Sequence, residues 1–365
     1  MSKKTRILFA AVDIGYRIPH YSRFLEENYG DKVKVESFSK YILPKEHYKI
    51  SFTYECPIDK WSPIRVYIYS SFFFLRALFK YDVFHFFSGE TILTRKLRRF
   101  ELMTYKLFRK KVIMHYVGSD IRSNDYLKDK NEHIIDYLNG KKIKTAISDQ
   151  QQLKLIANTR KYANKIIVST PDLLELIPEA IYLPVFLDVE SLPKTESKIS
   201  REKGKVQILH SPSGTLTKGS KHIHDVLTKI LSHRKEEIDL IIPSYNKKGR
   251  ELNYSFSRYK MIETMDNSHI VIDQMIIGWY GLKTVEALYH GANVVCFIEK
   301  EEFQFDDSPI IQSDVLNLER VLNTLIDQLI IENNKKDRLN TNRKWIDKNH
   351  SIDSYKEFLH DLWLN

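Results

Sequence analysis

Twice along this chain, short apolar runs alternate with longer amphipathic segments, and this alternation restricts the fold more than any other feature. Residues 6–11, 33–38, 83–87, 111–116 and 165–169 read as strands, and the stretches between them carry apolar residues at helical spacing. Past a polar, charged stretch, LPKTESKISREKGK, the pattern resumes with strands at 206–211, 238–243, 269–273 and 292–297 and helices starting near Gly219, Leu282 and Val315. Strands that are apolar throughout need both faces of their sheet covered, and the intervening helices supply that cover, so each series predicts a parallel α/β layer. With 365 residues the chain exceeds the length at which one core usually stops growing, about 250–300 residues, so two domains are expected. The pattern predicts a first domain over 1–187, a linker over 188–204 and a second domain over 205–345. A C-terminal helix within 346–365 would pack back on the first domain, with Ser351 as cap and Tyr355, Phe358, Leu359 and Leu362 on one face. Two such domains would enclose a cleft between the carboxyl ends of their sheets, where ligands of open α/β folds bind.

Composition narrows the function classes. Hydrophobic residues at 42% and charged residues at 28% suit a globular protein and not a disordered one. The apolar stretch from Val66 to Phe87 is interrupted by Arg76, Lys80, Asp82 and His85, whereas a spanning helix needs about 20 nearly uncharged residues. The opening MSKKTRILFAAVDIGY has an Asp within its apolar run and reads as a first strand, not a signal peptide. Cys56 and Cys296 are far apart and lack metal-type spacing, which argues against a disulfide framework or zinc site and for a reducing, cytoplasmic setting. Net charge is unevenly spread: residues 1–185 hold 32 Lys+Arg and 20 Asp+Glu, residues 186–365 hold 25 and 27, giving +12 and −2. Either the first half has a polyanionic partner or its lysines and arginines form a solvated face; nucleic acid is set aside because neither a binding motif nor a stacking pattern accompanies the charge.

Two segments of the second half carry chemistry. DQMIIGWYGLKTVEALYHGANVVCFI, residues 273–298, reads as strand end, glycine turn, amphipathic helix and apolar strand; ILHSPSGTLTKGSKHI, residues 208–223, reads as strand, loop and a helix opened by Lys218 and Gly219. Unsatisfied amides and the positive dipole end make a helix start an anion site, and a lysine beside it is a point charge for phosphate. These segments resemble the nucleotide-sugar-binding elements of the GT-B glycosyltransferases related to family 4, α/β proteins with two Rossmann-like domains facing across a cleft. The resemblance implies that Lys218 pairs with the donor diphosphate, that Gly219 lets the backbone come close, and that the amides of Gly281 and Leu282 face the diphosphate. It also implies that Glu286 accepts hydrogen bonds from ribose hydroxyls, with Gly15, Ser213 and Tyr280 completing the donor surface. A surface-exposed Glu286 would make Glu286→Ala lose nucleotide binding with little change in unfolding temperature.

The first half resembles the same family in order. ILFAAVDIGYRIPHYS matches the opening strand and glycine loop, with Asp13, Gly15 and Arg17 as cleft candidates; KKVIMHYVGSDIR matches the strand before a Gly-Ser-Asp turn; NKIIVSTPDLLELIP matches the last strand of that domain. Lys218, Asp13, His115 and Asp120 are the catalytic candidates. Departures from the family pattern are Gly278 in place of a second Glu, Thr215 in place of an Arg, and Val117 in place of a histidine; His115 either substitutes for that histidine or is a satisfied core residue of its strand. What the resemblance implies is transfer of a hexose-like unit from a UDP- or GDP-linked sugar to a glycan or lipid-linked hydroxyl acceptor, in surface polysaccharide or glycolipid assembly. Retention of configuration is implied, with no cofactor and no metal; Asp306 and Asp307 are adjacent and read as a loop. Two alternatives stand beside this: a nucleotide-sugar epimerase on the same fold, and a catalytically silent scaffold subunit.

The run TILTRKLRRFELMTYKLFRKK, residues 91–111, places Leu93, Leu97, Phe100, Met103, Leu107 and Phe108 at helical spacing, with basic residues around them. Either the apolar side packs in the core and the basic side meets water, or Arg95, Lys96, Arg98 and Arg99 form a surface for an acceptor or for the inner face of the plasma membrane.

Overall fold

The computed structural model describes residues 3–41, 51–130, 147–193, 205–212, 218–242, 257–332 and 334–365. The chain divides into two compact units, one comprising Met1–Asp125, Lys144–Pro184 and Tyr355–Asn365, the other built mainly on Val185–Ser354. Chain order in the first is β1 (Thr5–Ala10), α1 (Arg17–Tyr29), β2 (Val33–Ser39), β3 (Tyr54–Glu55), α2 (Pro63–Lys80), β4 (Val83–Phe87), α3 (Arg98–Leu107), β5 (Lys111–Tyr116), then α4 (Asn124–Lys130), of which only Asn124 and Asp125 belong to this unit, α5 (Asp149–Tyr162), β6 (Lys165–Val168) and β7 (Ile181–Tyr182). Its seven strands are all parallel, in the order β3-β2-β1-β4-β5-β6-β7. The second contains β8 (Val206–Leu209), α6 (Ser220–Arg234), β9 (Ile238–Ile241), α7 (Arg258–Asn267), β10 (Ile270–Ile272), α8 (Leu282–Tyr289), β11 (Asn293–Cys296), β12 (Ile311–Gln312), α9 (Leu318–Ile331) and α10 (Lys335–Asn349). Its sheet is also parallel, in the order β12-β11-β10-β8-β9.

Every strand expected from the apolar runs is present, with ends moved by one or two residues. The three additional strands, β3, β7 and β12, are two residues long and lie at sheet edges, too short to show a period. Helix α9 begins at Leu318, later than Val315, and α10 runs through position 345 to Asn349. Ser351 starts a short 3₁₀ turn, its Oγ accepting from Asp353 N at 3.3 Å, before the last helix α11 (Lys356–Leu364). The buried side of α11 is Leu359, Leu362 and Trp363, whereas Phe358 is only partly covered.

In the first unit Leu8, Phe84, Phe86 and Met114 face α2 and α3, and Phe9 and His85 face the opposite side. There Trp363 of α11 meets Phe9 edge-on at 5.7 Å and Tyr21 at 5.5 Å. Alternate side chains of one strand thus fill two separate layers, as the period of two demands. In each sheet the order reverses between two adjacent central strands, β1 and β4 in the first and β8 and β10 in the second. Loops leaving the carboxyl ends at such a reversal diverge and leave room for a ligand. The segments so selected are 11–16, 88–90, 210–212 and 273–281.

Candidate functional site

At the reversal in the second unit, Asp273 leaves β10 and lies buried beneath the start of α8. Its Oδ1 accepts from Lys218 Nζ at 2.7 Å; its Oδ2 accepts from Thr284 Oγ1 at 2.8 Å and from Gly281 N at 3.4 Å. Burial works to raise the pKa of this carboxyl, but the Lys218 ammonium and the Thr284 hydroxyl outweigh it and hold the group below the ordinary value. Asp273 was read from sequence only as a strand end; it is the residue that fixes Lys218. An added Cβ at Gly281 would meet nothing within 4 Å, so the backbone there is open to close approach. Its amide, expected to be free, is directed at Asp273.

Gly219 is needed for a different reason than the one expected. Its φ is +71°, and a Cβ there would come within 2.9 Å of Ile276 Cγ1, so the glycine lets the α6 start approach the 273–281 loop; Met275 N donates to Lys218 O across it at 3.2 Å. His210 ties the same elements together: Nδ1 bonds Ile272 O at 3.0 Å and Nε2 bonds Ser220 Oγ at 2.9 Å, and burial lowers its pKa to about 3. Ser213 and Thr215 lie outside the described residues.

Glu286 is on the buried side of α8, and its Oε1 accepts from Arg258 Nη2 at 2.5 Å. Arg258 opens α7 and has no distinguishing sequence signal beyond its place after a serine cap. Lys283, on the first turn of α8, is buried, and its pKa falls to about 8 through loss of water, with the charges of Asp273 and Glu286 opposing and those of Lys218 and Arg258 reinforcing that fall. The cluster therefore sets three cationic side chains, Lys218, Lys283 and Arg258, against two carboxylates, Asp273 and Glu286. Tyr280 does not belong to it: the ring is buried against Trp279 and its hydroxyl meets His350 Nε2 at 3.2 Å, so the side chain is spent on the interior. At Gly278, with φ +82°, a Cβ would clash with Glu299 Cβ at 2.7 Å, which accounts for the glycine in steric terms.

At the reversal in the first unit, Gly15 and Tyr16 both have positive φ and turn the chain into α1. Asp13 is buried there; Oδ1 accepts from Ile18 N at 3.2 Å while Oδ2 has no hydrogen-bond partner among the described residues. Burial raises its pKa to about 6 against the opposing amide of Ile18 and charge of Arg17. His115 is not a surface histidine. It is enclosed, its Nδ1 facing His85 Nε2 at 3.4 Å and its Nε2 facing Ser169 Oγ at 2.8 Å, and burial holds it neutral. Trp363 Nε1 donates to His85 Nδ1 at 3.0 Å and Arg17 Nη1 donates to Ser169 Oγ at 2.9 Å, so a continuous chain of bonds joins α11 to Arg17. Because tryptophan and arginine can only donate, both histidines must carry their proton on Nε2 and Ser169 accepts twice. Asp120 has a turn-forming role, its carboxylate accepting from Val117 N at 3.1 Å and Gly118 N at 2.7 Å.

Beside this loop, α3 and α5 border a cavity of about 760 Å³. Arg95, Lys96, Arg98 and Arg99 line it together with Lys154 and Lys161, so the four basic residues expected on a flat surface face a hollow. Glu90, at its wall, takes Arg95 Nε at 2.5 Å, Arg98 Nη2 at 3.4 Å and Lys40 Nζ at 3.7 Å. One carboxylate facing three cations leaves a positive excess. Ser88 Oγ and Arg98 Nε are buried there without a partner among the described residues.

No family model matches the chain, and no curated protein does. Solved structures do. HepE from Anabaena in complex with UDP-glucose is 13% identical with a TM-score of 0.63, covering 98% of each chain. Sucrose-phosphate synthase from Thermosynechococcus elongatus is 10% identical with a TM-score of 0.64, covering 99% of this chain and 98% of that one. The catalytic domain of starch synthase IV from Arabidopsis thaliana, bound to ADP and acarbose, is 11% identical with a TM-score of 0.61, covering 99% of both. The chain has the GT-B fold, two Rossmann-like α/β units, and its structural neighbours include GT-B glycosyltransferases.

Proposed function

We propose that this protein transfers a sugar from a nucleoside-diphosphate sugar to a hydroxyl acceptor, with the donor held by the second unit. The observation that carries the reading is the Lys218–Asp273 pair under the start of α8, beside the open Gly281. Asp273 orients the lysine, and the ammonium and the helix dipole together receive the diphosphate as it leaves. Charge on that leaving group grows toward the transition state, so fixed cations lower the barrier more than they tighten ground-state binding. Glu286, held through Oε1 by Arg258, would accept hydrogen bonds from ribose hydroxyls. UDP and GDP are the nucleotides proposed; retention of configuration and metal-independent chemistry follow from the family resemblance. In the first unit the basic cavity would receive the phosphate of a lipid-linked or other phosphorylated acceptor in glycolipid or polysaccharide assembly.

Titrating the protein with UDP-, GDP- and other sugar nucleotides, followed by product analysis, tests the reading. A transferase binds one class and releases free nucleoside diphosphate in proportion to acceptor glycosylated. Interconversion of the sugar nucleotide without transfer would favour epimerisation; a protein from Listeria monocytogenes assigned as a UDP-N-acetylglucosamine 2-epimerase is also a neighbour, at 11% identity and a TM-score of 0.52 over 94% of this chain and 91% of that one. Failure to bind any sugar nucleotide would remove the proposal and leave a silent scaffold.

A further inference from the structure

The outward face of α2 is apolar along its whole length. Ile64, Tyr67, Ile68, Phe72, Leu75 and Phe79 recur at spacings of three and four, and each is more than half exposed. The inward face, with Phe73, Phe74, Ala77 and Leu78, is already buried, so the outward residues are not needed for the core. Helix α3 extends the same surface. Its covered side is Glu101, Leu102 and Tyr105, whereas Phe100, Met103, Leu107 and the following Phe108 are exposed. Of the apolar residues expected at helical spacing over 91–111, Leu93 is in the core and Leu97 packs against it, whereas Phe100, Met103, Leu107 and Phe108 do not. Aromatic contacts join the helices, Phe74 to Phe100 at 6.3 Å and Phe79 to Phe108 edge-on at 5.7 Å, so one patch spans both. An ordinary surface helix carries charged residues on this side, and a contiguous apolar patch marks a docking surface.

The charge around the patch identifies what covers it. Helix α2 contains no acidic residue, and the single acid of α3, Glu101, is turned inward, where it accepts from Ile92 N at 2.9 Å and Leu93 N at 2.7 Å. Arg65, Arg76, Lys106 and Arg109, on or next to the same helices, are exposed. Lys106 Nζ donates to the main-chain carbonyl of Lys161 at 2.8 Å, a neutral group that leaves its charge uncompensated. Arg65 lies over the Trp61 ring at 4.0 Å, an aromatic of the kind that sits at the headgroup level. An exposed apolar face on two helices whose exposed charges are all cationic matches hydrocarbon beneath anionic phosphates. At 18 residues, α2 would lie about 27 Å along a bilayer surface. No described helix is long and apolar enough to cross a membrane. We propose that the α2/α3 face seats the protein in the interface of an anionic phospholipid bilayer, with the side chains of α2 entering the acyl region. The contact proposed here is this apolar face; the four basic residues 95, 96, 98 and 99 considered from sequence line the adjoining cavity.

Vesicles of phosphatidylcholine with and without phosphatidylglycerol test this on the full chain. Because Cys56 and Cys296 are buried, a Phe72→Cys variant can be labelled selectively with an environment-sensitive fluorophore. Its emission should shift to the blue and intensify on anionic vesicles, and less so on neutral ones. Ile68→Glu and Phe72→Glu should each weaken sedimentation with anionic vesicles about tenfold or more while the unfolding temperature stays at the parent value, since both positions are exposed in the fold. Reversing Arg65 and Arg76 to Glu should remove the preference for anionic lipid. The proposal fails if the label does not shift while the protein sediments, or if Phe72→Glu binds vesicles like the parent. It also fails if the protein is a dimer that Phe72→Glu dissociates without any vesicle binding, which would give the face to a second copy.

Discussion

Replacing Glu286 by Ala is expected to cost stability as well as nucleotide binding, contrary to what an exposed ribose-binding carboxylate would do. The side chains of Glu286 and Arg258 are 4% and 15% exposed, and removing one leaves the other without its partner. Breaking a buried pair in this way costs about 3–5 kcal/mol when the remaining charge cannot reach water. Arg258 stands at the first position of α7 and retains some exposure, so about 2–3 kcal/mol is the reasoned value here. For a unit of this size each kcal/mol moves the unfolding midpoint by about 2–4 °C, giving a fall of about 4–12 °C. Nucleotide affinity should also fall by about 1.5–3 kcal/mol per hydrogen bond lost to the charged oxygen. Scanning calorimetry and nucleotide titration on the parent, Glu286→Ala, Arg258→Met and the double variant separate the two effects. The pair predicts a coupling of about 1.5–3 kcal/mol in the stability cycle, with the double variant less damaged than the sum. A midpoint moved by less than about 1 °C, or a coupling under about 0.5 kcal/mol, would refute the argument that Arg258 and the fold hold this carboxylate.

Lys218→Ala should lower turnover more than it raises the half-saturating donor concentration; steady-state kinetics below its unfolding range would show the opposite split if the lysine served only ground-state binding. Chelation by EDTA should leave the parent's rate unchanged, and loss restored by manganese or magnesium would overturn the metal-independent mechanism. Asp13 has a folded pKa of about 6 against a starting value of 3.8, so the folded state keeps a proton that the unfolded state has released. Stability should therefore fall by up to about 3 kcal/mol as pH rises from about 4 to about 6; Asp13→Asn should be the more stable protein at about pH 7.5 and lose that advantage by about pH 4 in urea titrations. Gly219→Ala should cost about 2–4 kcal/mol, from the left-handed backbone and the contact with Ile276, and a midpoint equal to the parent's would show that the α6 start is not held as described.

The sequence by itself determined the two parallel α/β layers, because apolar runs bounded by amphipathic helices leave few alternatives to sheets covered on both sides. It also marked Lys218 and the start of α8, since a lysine, a glycine and a helix N-terminus are adjacent in the chain or nearly so. What it could not show were relations between residues distant along the chain. Lys218 and Asp273 are brought together by the pairing of β8 with β10, and Glu286 and Arg258 by the packing of α8 on α7. That a strand histidine such as His115 can be a satisfied core residue is legible in the sequence, but its partners His85 and Ser169 are not. Tyr280 stood beside the glycine turn in sequence, yet its ring turned inward to His350. The outward face of α2 was invisible for a related reason: periodicity shows that a helix has apolar residues on several sides, but which side is covered depends on where the sheet lies. Composition and spacing act along the chain and fix local structure, whereas burial, ion pairing and exposure are properties of neighbours in space, and only the tertiary structure supplies those.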